Sequence, residues 1–177
     1  MKAIKTHTYS YIYKVKNHNK HKKEILKLVN KIPLRPLNQG NDKITNTDWH
    51  ISKDTRREYF HYIFENIMKD YAKDFSDTLK VYNCRIRNYW FQQYKKNDVH
   101  AWHSHDTHYS VIYYIELPDK NMKTEFKDII TGKVQTFDVQ EGDIFTFPGH
   151  MIHRSKAFKS NKRKTVAVFN VTHDQES

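Results

Sequence analysis

Glycine is scarce in this chain. Gly40, Gly132, Gly142 and Gly149 are the four among 177 residues. Gly40 stands alone before residue 132, so neither a glycine-rich dinucleotide turn nor a phosphate-cradling P-loop can be drawn there. Cysteine is scarcer still: Cys84 by itself excludes an internal disulfide and every multi-cysteine zinc motif. A lone thiol in a strand-like stretch suits a reducing compartment. No apolar run approaches the roughly 18 residues a membrane span needs, and the N-terminus lacks the apolar core of a secretory signal. The expectation is a soluble cytoplasmic protein with no membrane partner.

What is present is a foldable composition, 37% hydrophobic, 14% aromatic and 29% charged. The length suits a single domain over 1–177. The formal net charge of +11 suggests a nucleic-acid or other polyanionic partner when taken whole. Its distribution argues otherwise. Residues 1–36 hold ten Lys or Arg against Glu24, and residues 154–164 hold six with no acid, which leaves the rest of the chain at a net −4. The excess is two local patches, and lysines opposite an apolar helix face are ordinarily a solvated face.

The order of elements reads as helices first and strands after. Tyr9, Tyr11, Tyr13 and Val15 alternate as in a half-buried strand. Ile25, Leu26, Leu28, Val29 and Ile32 share a helical face that Pro33 and Pro36 end. Phe60, Ile63, Phe64, Ile67, Met68 and Tyr71 predict a second helix over about 53–73, preceded by the capping residues Ser52 and Asp54. This helical part runs to about residue 79. From about 80 to 172 the texture becomes short β-rich runs at 81–94, 109–117, 123–127, 134–139, 143–147 and 165–172, bounded by turns such as Glu141-Gly142. Such close spacing predicts a mainly β sandwich or barrel with flanking helices, an α+β arrangement.

With nucleotide loops and cysteine sites excluded, histidine is the residue to follow. Six of the twelve lie at 100, 103, 105, 108, 150 and 153. His103 and His105, two apart, project to one side of an extended chain at a strand end. His153 follows a second β segment and Phe147-Pro148-Gly149. Two near ligands and one distant one make a facial three-ligand metal site with open positions. Asp106 is the alternative to His105. His100 and His108 read as structural or supporting groups. Surface or hydrogen-bonded imidazoles are the competing reading, since six other histidines are scattered along the chain.

The longer string resembles the 2-oxoglutarate and Fe(II)-dependent dioxygenase superfamily, most closely the small oxygenases of marine phages and bacteria. The matching pieces are Trp90-Phe91-Gln92-Gln93-Tyr94, His103-Ser104-His105 with Val111-Ile112-Tyr113-Tyr114, Glu141-Gly142-Asp143, Phe147-Pro148, His153, and Arg163 leading into Val168-Phe169-Asn170-Val171. The resemblance covers about 80–172, with a weaker match at Thr47-Asp48-Trp49. It implies a double-stranded β-helix, a cupin-like jelly roll with N-terminal helices packed on one sheet. It further implies Fe(II) as metal, 2-oxoglutarate as cosubstrate and hydroxylation of an unidentified substrate as the reaction, releasing succinate and CO2. His103 and His153 look like the first and last iron ligands. His105 stands where the superfamily usually has a carboxylate. Arg163 looks like the cation that grips the far carboxylate of 2-oxoglutarate as a bidentate pair; the competing reading is a run of surface basic residues, since Lys162 and Lys164 flank it. Thr165 adds a hydroxyl, and Tyr113 or Tyr114 completes the cosubstrate site. Trp102, His150 and Arg154 flank the ligands as substrate-pocket candidates.

Two other classes fit part of the sequence. A cupin-like metalloprotein, such as an isomerase that does not use 2-oxoglutarate, shares the His-x-His motif, but Tyr109 and Ser110 stand where its glutamate belongs. A basic nucleic-acid-binding module is suggested by the patches at 1–36 and 154–164.

Overall fold

The largest element is a six-stranded antiparallel sheet, and its four central strands carry buried apolar residues on both faces. We describe residues 8–52 and 54–173 from a computed structural model. The order across this sheet is β1 (Tyr11–Lys14), β10 (Asp143–Pro148), β7 (Tyr109–Glu116), β12 (Lys164–His173), β5 (Cys84–Tyr94) and β4 (Asn46–Thr47). A second sheet runs β6 (His100–His103), β11 (Ile152–Ser155), β8 (Glu125–Lys127), β9 (Val134–Thr136), and a small hairpin pairs β2 (Leu37–Gln39) with β3 (Asp42–Ile44).

Side-chain alternation divides the large sheet between two cores. Phe91, Val111, Tyr113, Ala167 and Phe169 face a helical layer, and their neighbours Trp90, Ile112, Tyr114, Val166 and Val168 face the second sheet. Burial on both sides explains why these strands read as near-continuous apolar runs. The helical layer is α1 (His18–Val29), which buries Ile25 and Val29, and a longer helix of α2 (Glu58–Ile63), a π-helical turn at Phe64–Met68, and α3 (Lys69–Leu79). The double-stranded β-helix with helices on one sheet is therefore the architecture found. Among the described residues, no helix is long and apolar enough to cross a membrane.

The second helix is shifted relative to the expected 53–73, whose first residue, Lys53, lies outside the described residues. Arg57 stays extended because its guanidinium is buried against Asp48, Nε to Oδ2 2.8 Å, so the helix starts one residue later. It continues to Leu79 because Tyr71 and Phe75 prolong the buried stripe at four-residue spacing.

The shortage of glycine leaves a mark on the turns. Asn17, Lys80, Asn83 and Asn97 occupy the left-handed region where glycine is the usual choice. Asparagine tolerates that backbone well; lysine does not. Lys80→Gly at the end of α3 is expected to stabilise the fold by about 1 kcal/mol, seen as a higher urea midpoint with unchanged slope.

Candidate metal centre

The short strands β6 and β11 lie side by side, and their register sets His103 directly opposite His153. Ring centroids are 4.2 Å apart for this pair, 5.0 Å for His103 and His105, and 5.2 Å for His105 and His153. One nitrogen from each of the three lies within 4.8 Å of the others. These three make up the group of potential metal ligands among the described residues. Asp106 is exposed and is not part of it.

The rings are also held in the correct protonation state. Nδ1 of His103 lies 2.7 Å from the Ala101 carbonyl, and Nδ1 of His153 lies 2.9 Å from that of Met151. A carbonyl only accepts, so each Nδ1 carries the hydrogen and each Nε2 keeps its lone pair for a metal. Asn170 stands 3.5 Å from Nδ1 of His105. Burial, reinforced by the neighbouring imidazoles, pushes His153 down to about 2 and His105 to about 4, and burial lowers His103 as well. All three are neutral at pH 7, as metal ligation requires. Phe126 and Phe147 wall His153 with ring centroids at 5.8 and 4.9 Å, and keep that side dry.

Residues that local sequence reading passed over hold this geometry. Gly149 fits into the turn after His103: the His105 amide donates to its carbonyl at 2.8 Å, and its own amide donates to the His108 carbonyl at 3.0 Å. A methyl group there would stand 2.2 Å from the Thr107 carbonyl oxygen. Gly149→Ala is therefore expected to displace the His105 turn and weaken metal affinity at least about tenfold, comparable to removing a supporting group of a metal site. A Co(II) titration followed by visible absorption measures this. Asp42 accepts from the Ala101 amide at 2.7 Å and steadies β6, while His100 stacks on His103 at 3.9 Å.

Beside the triad lies a small interior cavity of about 30 Å³. Lys164 reaches into it and is 1% exposed. Its ammonium donates to Ser155 Oγ at 3.1 Å and sits 5.1 Å over the Tyr94 ring, and burial lowers its pKa to about 7. Among the described residues, no carboxylate is paired with it. Gln92 also faces this space, where it accepts from the Tyr94 hydroxyl at 2.8 Å.

Several expected residues stand elsewhere. Arg163 points away from the cavity and forms a two-pronged pair with Glu116, Nε to Oε2 2.7 Å and Nη2 to Oε1 3.1 Å. The Thr165 hydroxyl also donates to Glu116. Both lie one residue out of step with the strand face that lines the site. Tyr113 faces the helices and bonds His18 Nδ1 at 2.9 Å, whereas Tyr114 faces the interior and donates to Thr124, a cavity residue, at 2.9 Å. His150 is exposed, in a separate cleft with His108 and His173. Arg154 borders the cavity, pairs with Glu125 at 2.8 Å and covers Trp102 at 4.3 Å. Trp102 lines a groove of about 390 Å³ against His103.

The basic run at 154–164 is thus largely consumed internally. Arg154 and Lys156 pair with Glu125, Arg163 pairs with Glu116, and Lys164 is buried, which leaves Lys159 and Lys162 exposed. Of the N-terminal patch, Lys20, Lys23 and Lys27 are exposed on α1, and Lys2 and Lys5 lie outside the described residues.

Solved structures show what this arrangement is like. A 2OG-Fe(II) oxygenase family oxidoreductase from Burkholderia pseudomallei superimposes with a TM-score of 0.68 at 13% identity, over 85% of this chain and 77% of that one. A Pseudomonas putida prolyl-4-hydroxylase gives 0.63 at 10% identity over 93% of each chain. HygX from Streptomyces hygroscopicus, with nickel and 2-oxoglutarate bound, gives 0.65 at 8% identity over 93% of this chain and 82% of that one. The fold is that of the 2-oxoglutarate and Fe(II) oxygenases. At the level of sequence, no family model and no curated protein matches. On this oxygenase fold the present chain carries three histidines at the candidate metal centre, without a carboxylate among them.

The donor set fits a divalent metal. Imidazole suits iron, nickel, copper and zinc, and three neutral ligands leave the ion its full charge of +2. Lys164 is the buried cation of this cavity. The space of about 30 Å³ holds a water molecule, so a five-carbon diacid enters only with movement of the side chains that fill it.

Proposed function

We propose that the protein is an Fe(II)- and 2-oxoglutarate-dependent oxygenase that hydroxylates a substrate. One observation carries the reading: on an oxygenase fold, a neutral histidine triad and a buried lysine with no carboxylate partner among the described residues face the same cavity. His103 and His153 hold the metal through Nε2, and His105 supplies the third imidazole nitrogen. Lys164, in place of the Arg163 implied by resemblance, binds the far carboxylate, with Ser155 holding the ammonium until the carboxylate takes over. Thr124 borders the same space and accepts a hydrogen bond from the Tyr114 hydroxyl behind it. When bound, iron and 2-oxoglutarate together activate O2, the cosubstrate leaving as succinate and CO2. The chain's own contribution is orientation and dryness: Phe126 and Phe147 exclude water from His153, and the Ala101 and Met151 carbonyls fix two of the rings. Trp102 and Arg154 form the substrate side.

Succinate formation with Fe(II) and 2-oxoglutarate tests this. His153→Ala is expected to lower it by at least about a hundredfold, given that loss of a supporting group alone costs ten- to a hundredfold, with an unchanged circular dichroism spectrum. Equal turnover in wild type and variant sinks the proposal.

The absence of a carboxylate ligand favours a second reading, a metalloprotein of cupin type that does not use 2-oxoglutarate; three-histidine sites also serve hydrolytic and hydration chemistry. Calorimetry of the metal-loaded protein with 2-oxoglutarate separates the two, since only the first predicts heat of binding.

A further inference from the structure

On the other face of the large sheet, away from the histidines, the helical layer leaves an open-sided cleft of about 780 Å³. Phe64, Met68 and Phe75 line it from the helices, and Tyr109, Val111 and Val171 from the sheet. Protein interiors pack at crystal density with few voids larger than a water molecule, so a space of this size is not a packing defect. It lies within the usual range for ligand pockets.

The chemistry of the walls restricts what fills it. Water needs two to four polar partners, and the polar pair inside, the Tyr71 hydroxyl and Thr146 Oγ1, is already joined at 2.6 Å. Among the described residues, the buried side-chain atoms left without a hydrogen bond belong to His18, Arg57, Asn88 and Trp90, none of which lines this cleft. The walls around that pair are mainly aromatic and aliphatic, so they suit a hydrocarbon for the buried part of an occupant. Polar groups stand at the edge, with Glu65 and Lys69 exposed there. The wall contains the π-helical turn Phe64–Met68, a form often met at functional sites, and Phe64 is 54% exposed on it. Lys69 is the cation among the cleft's lining residues and offers an anionic head group a partner.

We propose that this cleft binds a long-chain fatty acid, its alkyl chain between the helices and the sheet and its carboxylate at the rim beside Lys69. The site is independent of the metal chemistry proposed above, on the opposite face of the same sheet.

The test is fluorescence titration of the full chain with cis-parinaric acid below its aggregation concentration. Saturable binding at one molecule per chain is expected, with displacement by oleic acid and several-fold weaker displacement by oleyl alcohol. Ala72→Trp, which introduces a large ring at an exposed position of the cleft, is expected to weaken binding at least tenfold; Phe64→Ser weakens it through a second, exposed wall residue. Both should leave Co(II) absorption at the histidines unchanged, which reports an intact fold. Cys84, exposed and at the edge of the cleft, is the sole cysteine, so oleic acid should slow its reaction with a maleimide. Absence of saturable binding, or equal binding by both variants, overturns the proposal. Equal displacement by the alcohol overturns the acid as the ligand. Sedimentation showing a wild-type dimer that Ala72→Trp dissociates would assign the cleft to a second copy instead.

Discussion

Lys164→Met is expected to abolish 2-oxoglutarate binding and at the same time raise the stability of the free protein. The two effects share one cause. An ammonium that is 1% exposed, with a serine hydroxyl and a tyrosine ring for company, is poorly compensated for lost hydration. The pKa lowered to about 7 reflects that desolvation. Methionine matches the stem and removes the charge, and replacing a poorly compensated buried charge by an apolar side chain of similar volume is worth about 1–4 kcal/mol. A buried charged pair contributes about 2–5 kcal/mol when one partner is truncated, so 2-oxoglutarate affinity should fall by roughly two to three orders of magnitude. Metal affinity should not change, because Lys164 is not among the ligands.

The neighbouring residue is the control. Arg163 is committed to Glu116 outside the cavity, so Arg163→Gln is expected to change 2-oxoglutarate affinity less than about threefold, in line with the small worth of exposed pairs. Calorimetry with Mn(II) and 2-oxoglutarate, beside thermal melts without either, measures all four quantities. If Arg163→Gln abolishes binding and Lys164→Met does not, the assignment is wrong.

That one-residue difference shows what the sequence could and could not reveal. The two helices, the run of strands after residue 80, a sandwich-or-barrel class and the histidine cluster were legible, because apolar runs and an i, i+2 histidine pair are local patterns; the jelly roll came from resemblance, and the short polar strands β2–β4 between the helices were not legible. The inward parity of β12 was not legible either. In a strand exposed on one face, alternation identifies the inner side; in β12, Val166 and Val168 face one core and Ala167 and Phe169 the other, so the pattern is apolar at every position. Resemblance then selected Arg163, the more familiar cation, over the residue that lines the cavity. Strands β6 and β11 were hidden for a related reason: four residues each, rich in histidine and polar groups, they look like turns. Gly149 escaped because its function depends on Thr107 and His105 some forty residues earlier in the chain, a contact no local pattern contains.

Acidification is expected to unfold the metal-free protein well before it affects the metal-loaded one. His153, 4% exposed, has a folded pKa of about 2, and His100 and His105 are lowered to about 3 and 4, each by burial first. In the unfolded chain histidine titrates near 6.5. The unfolded state therefore holds more protons than the folded state below that pH, and stability present above 6.5 is lost as pH falls toward the folded values. His153 alone contributes about 1.4 kcal/mol per pH unit, or about 3 kcal/mol by pH 4, against a total of about 5–15 kcal/mol for a typical domain. Lys164 acts in the same sense at higher pH: with its folded pKa near 7 and its unfolded value near 10.4, stability falls as pH drops from about 10 to 7. The Lys164→Met melting profile should lack that alkaline limb and keep the acid one. His153→Asn should flatten the acid limb. Saturating Co(II) should raise the melting temperature at pH 7 and lose its effect as protons displace it from the imidazoles. Thermal melts from pH 4 to 10, with and without Co(II), supply the comparison. A wild-type profile that stays level between pH 6.5 and 4 would show that the buried, neutral histidine cluster does not govern the stability of this fold.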